Sequence, residues 1–185
     1  ALGTALDSAM NYPLRSAVMA FAHFDMNAYE LRDFLIGQQM NYPWPFYYSL
    51  MNLLGSHDVP RLKTVLACPF NLRTLSREDQ LTVTCTREEL DRAEKLEKMC
   101  AALQFSLPGV PSIYYGDEQG MEGVGDPFNR APFKEGSKDL HECYARLGAL
   151  RNSSAALSTG RALFFADNSD VLLVLRYIAD GKDID

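Results

Sequence analysis

Apolar residues recur at helical spacing along much of the chain, with short unbroken apolar runs between the helical stretches. Thr4–Met10 reads as a short strand, and Pro13 then suits the first turn of a helix whose Leu14, Val18 and Phe21 share a face. Glu30–Gln39 predicts a second helix with Leu31, Phe34 and Leu35 inward. Asn41-Tyr-Pro-Trp-Pro45 breaks it, because proline removes a donor and fixes φ. Ser49–Leu54 is nearly continuous in apolar residues, the look of a strand buried on both faces. Arg61–Ala67 predicts a short helix. Cys68–Cys85 is polar and irregular, and is expected to be an inserted or mobile loop. Thr86–Glu89 has the T-x-x-E form of a capping box. The helix behind it carries Leu90, Ala93, Leu96, Cys100 and Leu103 on one side and stops at Pro108-Gly109. Ser112–Tyr115 predicts a third strand, and Gly116–Phe133 a long loop. Asp139–Arg151 is a further helix. Arg161–Ala166 and Val171–Ile178 read as two strands turning at Asp167-Asn168-Ser169.

The order strand–helix, repeated three times and followed by a hairpin, implies an α/β fold with parallel strands and helical crossovers. In such folds chemistry gathers at the C-terminal ends of the strands. Asn11-Tyr12, Ser56-His57-Asp58 and Gly116-Asp117-Glu118 occupy those ends. Polar, aromatic and acidic residues at three successive strand ends point to one shared cleft.

Composition narrows the function classes. Hydrophobic residues make up 47% of the 185 positions and charged residues 23%, enough apolar material for a folded core. The formal net charge is −6 and no basic patch is visible, so nucleic acid is not an expected partner. The apolar runs fall far short of the ~18–20 residues of a membrane span. Ala1–Met10 has no basic flank and carries Asp7, so it does not read as a secretory leader. The expected location is cytoplasmic, with secretion an open alternative because the chain starts without Met. Arg87–Lys98 mixes both signs and reads as a solvated helix face. Four cysteines occur without any C-x-x-C pair, so no metal site is expected. No cofactor motif is present. Cys100 reads as a small core hydrophobe. Cys68 and Cys85 are either free or bridged across their loop. His23 and His141 lie in helical patterns and carry no signal. Trp44 either stacks on a sugar or anchors its loop.

Four strings then become specific. Asp7-Ser-Ala-Met-Asn-Tyr-Pro-Leu-Arg15 resembles the segment around the sixth barrel strand of the α-amylase family of glycoside hydrolases. Asn52-Leu-Leu-Gly-Ser-His-Asp-Val-Pro-Arg61 resembles the region ending that family's seventh strand. Pro108-Gly-Val-Pro-Ser-Ile-Tyr-Tyr-Gly-Asp-Glu118 resembles its eighth. Gly120-Met-Glu-Gly-Val-Gly-Asp-Pro-Phe-Asn-Arg130, leading to Pro132-Phe133, is similar to the neopullulanase, cyclomaltodextrinase and maltogenic amylase branch. The resemblance implies the C-terminal portion of a TIM (β/α)8 barrel, about three βα units over residues 1–155. Residues 156–185 would begin a truncated β-domain.

The resemblance also implies roles. Asp58 would be the carboxylate that stabilises the transition state, and His57 would hold hydroxyls of the same sugar. Asn11 and Tyr12 would line the cleft. Asp126 and Arg130 would contact sugars further along, the plainer alternative being an i,i+4 ion pair. The partner implied is an α-glucan oligosaccharide or polysaccharide, cleaved with retention at α-1,4 or α-1,6 bonds. The nucleophile and acid/base of such enzymes would lie before Ala1, so the expectation is an inactive fragment of an active parent. A non-catalytic carbohydrate-binding or scaffold module, or a non-hydrolytic relative of the family, is the alternative. A three-strand slice of a barrel leaves open edges, so self-association, edge coverage by 68–85 or modest stability is expected.

Overall fold

A computed structural model describes residues 7–68 and 72–179. Positions 4–6 of the first expected strand lie outside the described residues. Its last residue, Met10, forms a parallel bridge with Met51. β1 (Met51–Leu53) pairs in parallel with β2 (Val110–Ser112), Met51 opposite Val110 and Leu53 opposite Ser112. Met10, β1 and β2 therefore run side by side in one direction, and their C-terminal ends open on the same side.

Helices connect these strands. α1 (Tyr12–Ala22) starts with Pro13 in its first turn and is capped by the Asn11 side chain, which accepts from Leu14 N. α2 (Ala28–Asn41) has a reciprocal capping box between Asn27 and Glu30. α3 (Trp44–Ser49) fills the proline-rich break. α4 (Leu62–Ala67) follows β1, and the short α5 (Arg77–Leu81) follows it. α6 (Arg87–Ser106) carries the expected capping box, Thr86 with Glu89. α7 (Lys138–Ser153) and α8 (Ala155–Ser158) precede the antiparallel hairpin β3 (Arg161–Ala166) and β4 (Leu172–Tyr177).

The core joins Leu14 and Val18 of α1, Leu31 and Leu35 of α2, Leu62 and Leu66 of α4, and Ala93 and Cys100 of α6. Ala162 and Phe164 of β3 join the same cluster, while Leu163 and Phe165 point outward, as strand alternation requires.

Two expected elements shift. The third strand begins two residues early, because Gly109 at φ +106° turns Val110 N directly onto Leu50 O at 2.8 Å. Tyr114 and Tyr115 are thereby freed to flank Arg61. Residues 69–71 of the expected 68–85 loop lie outside the described residues, and residues 72–85 carry more regular structure than their composition suggests. They hold a 3-10 turn at Leu72–Thr74 and then α5, capped by Ser76. Their apolar residues Leu72, Leu75 and Val83 pack with Val124 and Phe128.

Candidate functional site

A buried polar lattice ties the strand ends together. Asn52 of β1 donates from Nδ2 to Pro108 O (2.7 Å) and accepts from Asn11 Nδ2 (3.0 Å). Gln104 of α6 donates to both Asn52 O (2.6 Å) and Ser112 O (3.0 Å), clamping β1 to β2 from beneath. Asn11 also exchanges hydrogen bonds with Gln38 of α2. Expected to line the cleft, Asn11 instead lies 4% exposed, its amide spent on Asn52, Gln38 and Leu14. A buried amide is stable only when so satisfied. Its place is below the site, where it fixes the residue that follows it.

That residue, Tyr12, reaches across the strand ends. Its hydroxyl donates to Asp58 Oδ2 at 3.0 Å and lies 3.0 Å from Ser56 Oγ. Ser56 Oγ in turn accepts from Asp58 N at 3.1 Å, an ST-type turn that holds the tip of the loop after β1. His57 Nε2 lies 3.1 Å from Asp58 Oδ1. Both carboxylate oxygens are thus anchored, yet the Asp58 side chain is 56% exposed and that of His57 53%. Each carboxylate oxygen keeps acceptor capacity for an incoming donor.

Beneath this turn sits an ion pair sealed from solvent. Arg61, 1% exposed, points Nη1 at Tyr115 O and, at 3.3 Å, at Asp117 Oδ1. Its guanidinium lies 4.3 Å from the Tyr114 ring centroid and 4.5 Å from that of Tyr115. Its Nε and Nη2 are buried without partners. Burial pushes the Asp117 carboxyl up to about 7 against the downward pull of Arg61. Gly55 makes room for Asp117, since a Cβ there would stand 2.0 Å from Asp117 Oδ2. Glu118 turns inward and accepts from Gly116 N at 2.8 Å. Nearby Glu97 of α6 is fully buried, with neither oxygen hydrogen-bonded. Burial, then the Asp117 carboxylate, raises its carboxyl well above the usual range.

The loop after β2 returns to the cleft at a 3-10 turn, Phe128–Arg130. Asn129, 0% exposed, donates from Nδ2 to His57 O and Val59 O, both at 2.8 Å. It therefore grips the backbone on either side of Asp58. Asp126 and Arg130 flank it, exposed and paired at 2.6 Å. The ion-pair alternative is realised, and the pair lies in the loop that Asn129 fastens to the His57-Asp58 turn. The ends of this motif stand out in the sequence, whereas Asn129, the residue that joins the two segments, does not. Its position inside the Asp126–Arg130 string is the available signal. Arg61, which reads from sequence as the start of a helix, is likewise a member of the site's buried support. Trp44, half exposed, packs against Tyr47 and Tyr48 with Arg161 near its ring. Among the described residues no group of three or more His, Cys, Asp or Glu side chains is placed to hold a metal ion.

Residues 2–153 match the family model described as alpha amylase, catalytic domain. The chain is 37% identical over 195 aligned positions to an amylopullulanase of Thermoanaerobacter thermohydrosulfuricus, covering 98% of this chain and 13% of that protein. It is 35% identical to a cyclomaltodextrinase of Geobacillus thermopakistaniensis, covering 98% of this chain and 28% of that one. Among solved structures, the cyclic alpha-maltosyl-(1→6)-maltose hydrolase of Arthrobacter globiformis superposes with a TM-score of 0.76 at 27% identity, covering 94% of this chain and 35% of that one. The chain thus spans a minor part of the proteins it resembles. With the parallel strand ends, the His57-Asp58 turn and the loop that Asn129 ties to it, these matches place the chain in the alpha-amylase family of glycoside hydrolases, in its catalytic TIM-barrel domain.

Proposed function

We propose that this chain supplies the C-terminal share of an α-glucan active site. In this reading residues 1–155 form about three βα units of the (β/α)8 barrel and residues 156–185 begin a β-domain. The parent is a retaining hydrolase or transglycosylase acting on α-1,4 and α-1,6 glucosidic bonds. The observation that carries the reading is Asp58, anchored through both oxygens by Tyr12 and His57 and still open to solvent.

The chemistry follows from that geometry. Cleavage passes through an oxocarbenium-like state in which the sugar ring flattens and its hydroxyls reorient. A carboxylate fixed beforehand accepts hydrogen bonds that tighten as this happens, with no reorganisation cost at the moment of reaction. Asp58 is suited to that role, and His57 to holding a hydroxyl of the same sugar. Asp126 and Arg130 are proposed to open their mutual pair toward a sugar further along the chain. Attack on the anomeric carbon and protonation of the leaving oxygen need two more carboxyl groups about 5–5.5 Å apart. The reading assigns both to other parts of the parent protein.

The test is reducing-sugar release from pullulan, starch and cyclodextrin by the purified 185-residue chain. No release is expected. Release that disappears in Asp58→Asn would overturn the division of labour. We also propose that the strand edges at Met10 and β2, unpaired among the described residues, favour association of the isolated chain.

A further inference from the structure

We propose that Cys68 and Cys85 form a dithiol site that a small disulfide such as oxidised glutathione converts to a covalent clasp at the base of the 72–83 excursion. The two residues are 17 apart in sequence, and their Sγ atoms lie 3.5 Å apart as free thiols. A disulfide of ~2.0 Å requires the two sulfurs to close the remaining gap. Cys68 is buried, whereas Cys85 is partly exposed and meets the reagent first. The Cys85 thiolate attacks one glutathione sulfur and expels the other as a thiol. Cys68 then loses its proton and attacks Cys85 Sγ, releasing the second glutathione thiol. Two protein thiols and one oxidised glutathione thus become one protein disulfide and two glutathione thiols.

The surroundings accept the product. Leu72, Val83, Val124 and Phe128 pack about the pair, and an uncharged disulfide fits that apolar setting as the neutral thiols do. Burial, then the Cys85 thiol and the carboxylates of Glu89 and Glu122, push the Cys68 thiol up to about 12. The second step therefore quickens with rising pH. The excursion braces the loop that carries Asp126. Gln80 Oε1 accepts from Gly125 N at 2.9 Å, and Arg77 lies 5.9 Å from the Phe128 ring centroid. A clasp at Cys68–Cys85 stiffens that brace, and this consequence for sugar contact rests on the glucan reading above.

The experiment equilibrates the reduced 185-residue chain in glutathione buffers without denaturant, followed by unreduced peptide mapping and hydrogen exchange. Expected are a fall from four free thiols to two, a 68–85 link, no retained glutathione and slower exchange at the Gly125 amide. The link should vanish in Cys85→Ser and persist in Cys100→Ser. A lasting glutathione adduct on Cys85, a link through Cys100 or Cys143, or an unchanged thiol count would overturn the site. A link that leaves Gly125 exchange unaltered would overturn the brace. None of these readouts depends on whether the loop binds glucan.

Discussion

The Tyr12 hydroxyl donates to Asp58 Oδ2 at 3.0 Å, joining the end of one parallel strand to the end of the next. The bond fixes one oxygen of an exposed carboxylate whose other oxygen lies 3.1 Å from His57 Nε2. Tyr12→Phe removes the donor and keeps the ring. A hydrogen bond to a charged acceptor is worth ~1.5–3 kcal/mol. In the proposed α-glucan reading, the whole enzyme should lose about tenfold to a hundredfold in kcat with its fold intact, as steady-state kinetics and circular dichroism will show.

Asn129 makes two 2.8 Å bonds to the carbonyls on either side of Asp58. In Asn129→Ala the half-buried His57 carbonyl and the buried Val59 carbonyl both lose that donor. Each such loss costs about 1–3 kcal/mol when nothing replaces it. Urea unfolding should register a loss in that range. The backbone signals of His57 and Val59 should shift in NMR spectra.

Gly55 faces the Asp117 carboxylate with no space for a methyl group. Gly55→Ala must push Asp117 away from Arg61, whose other buried nitrogens already lack partners. Overpacking of this kind costs about 1–3 kcal/mol. Thermal unfolding should show the loss. Gly37, with nothing within 4 Å of its added Cβ, is the control, and Gly37→Ala should be tolerated.

The two buried carboxyls give stability a definite pH dependence. Asp117 titrates near 3.8 when unfolded and about 7 when folded. Below the first value both states hold the proton and the contribution is complete. Between the two, only the folded state retains it, so stability falls as pH rises and the contribution is gone above about 7. Glu97, raised by burial and by Asp117, extends the decline. Denaturant midpoints should drop from pH 5 to 8 by more than about 1 kcal/mol equivalent. Glu97→Gln should flatten the upper part of that profile.

The isolated chain should self-associate, because paired strands are absent beyond Met10 and β2 among the described residues. Light scattering after size exclusion checks this. A monodisperse, highly stable monomer would count against it.

Much of this arrangement was legible in the residues. Thr86-x-x-Glu89, Pro13 and the 161–178 alternation each encode a local rule, so the capped helices and the hairpin are where periodicity puts them. The site turn was legible through motif order, since Ser56-His57-Asp58 and Asp126–Arg130 are contiguous strings. What escaped was the set of long-range polar contacts. Asn11 looks like a cleft residue until Gln38 and Asn52 are seen to consume its amide. Glu97 lies on the apolar face of its helix, four residues after Ala93 and three before Cys100, and its charge alone would assign it to solvent. Asn129 binds a carbonyl 72 positions away, which no local pattern reports.

The central claim is that Asp58 stabilises the transition state of α-glucan cleavage. Its most direct test is kcat for pullulan or cyclodextrin hydrolysis by the parent protein, with and without Asp58→Asn. The account predicts a loss of at least roughly a hundredfold to a thousandfold in kcat, with the fold preserved. A kcat within about twofold of the unaltered enzyme, on a rate set by chemistry, would contradict it.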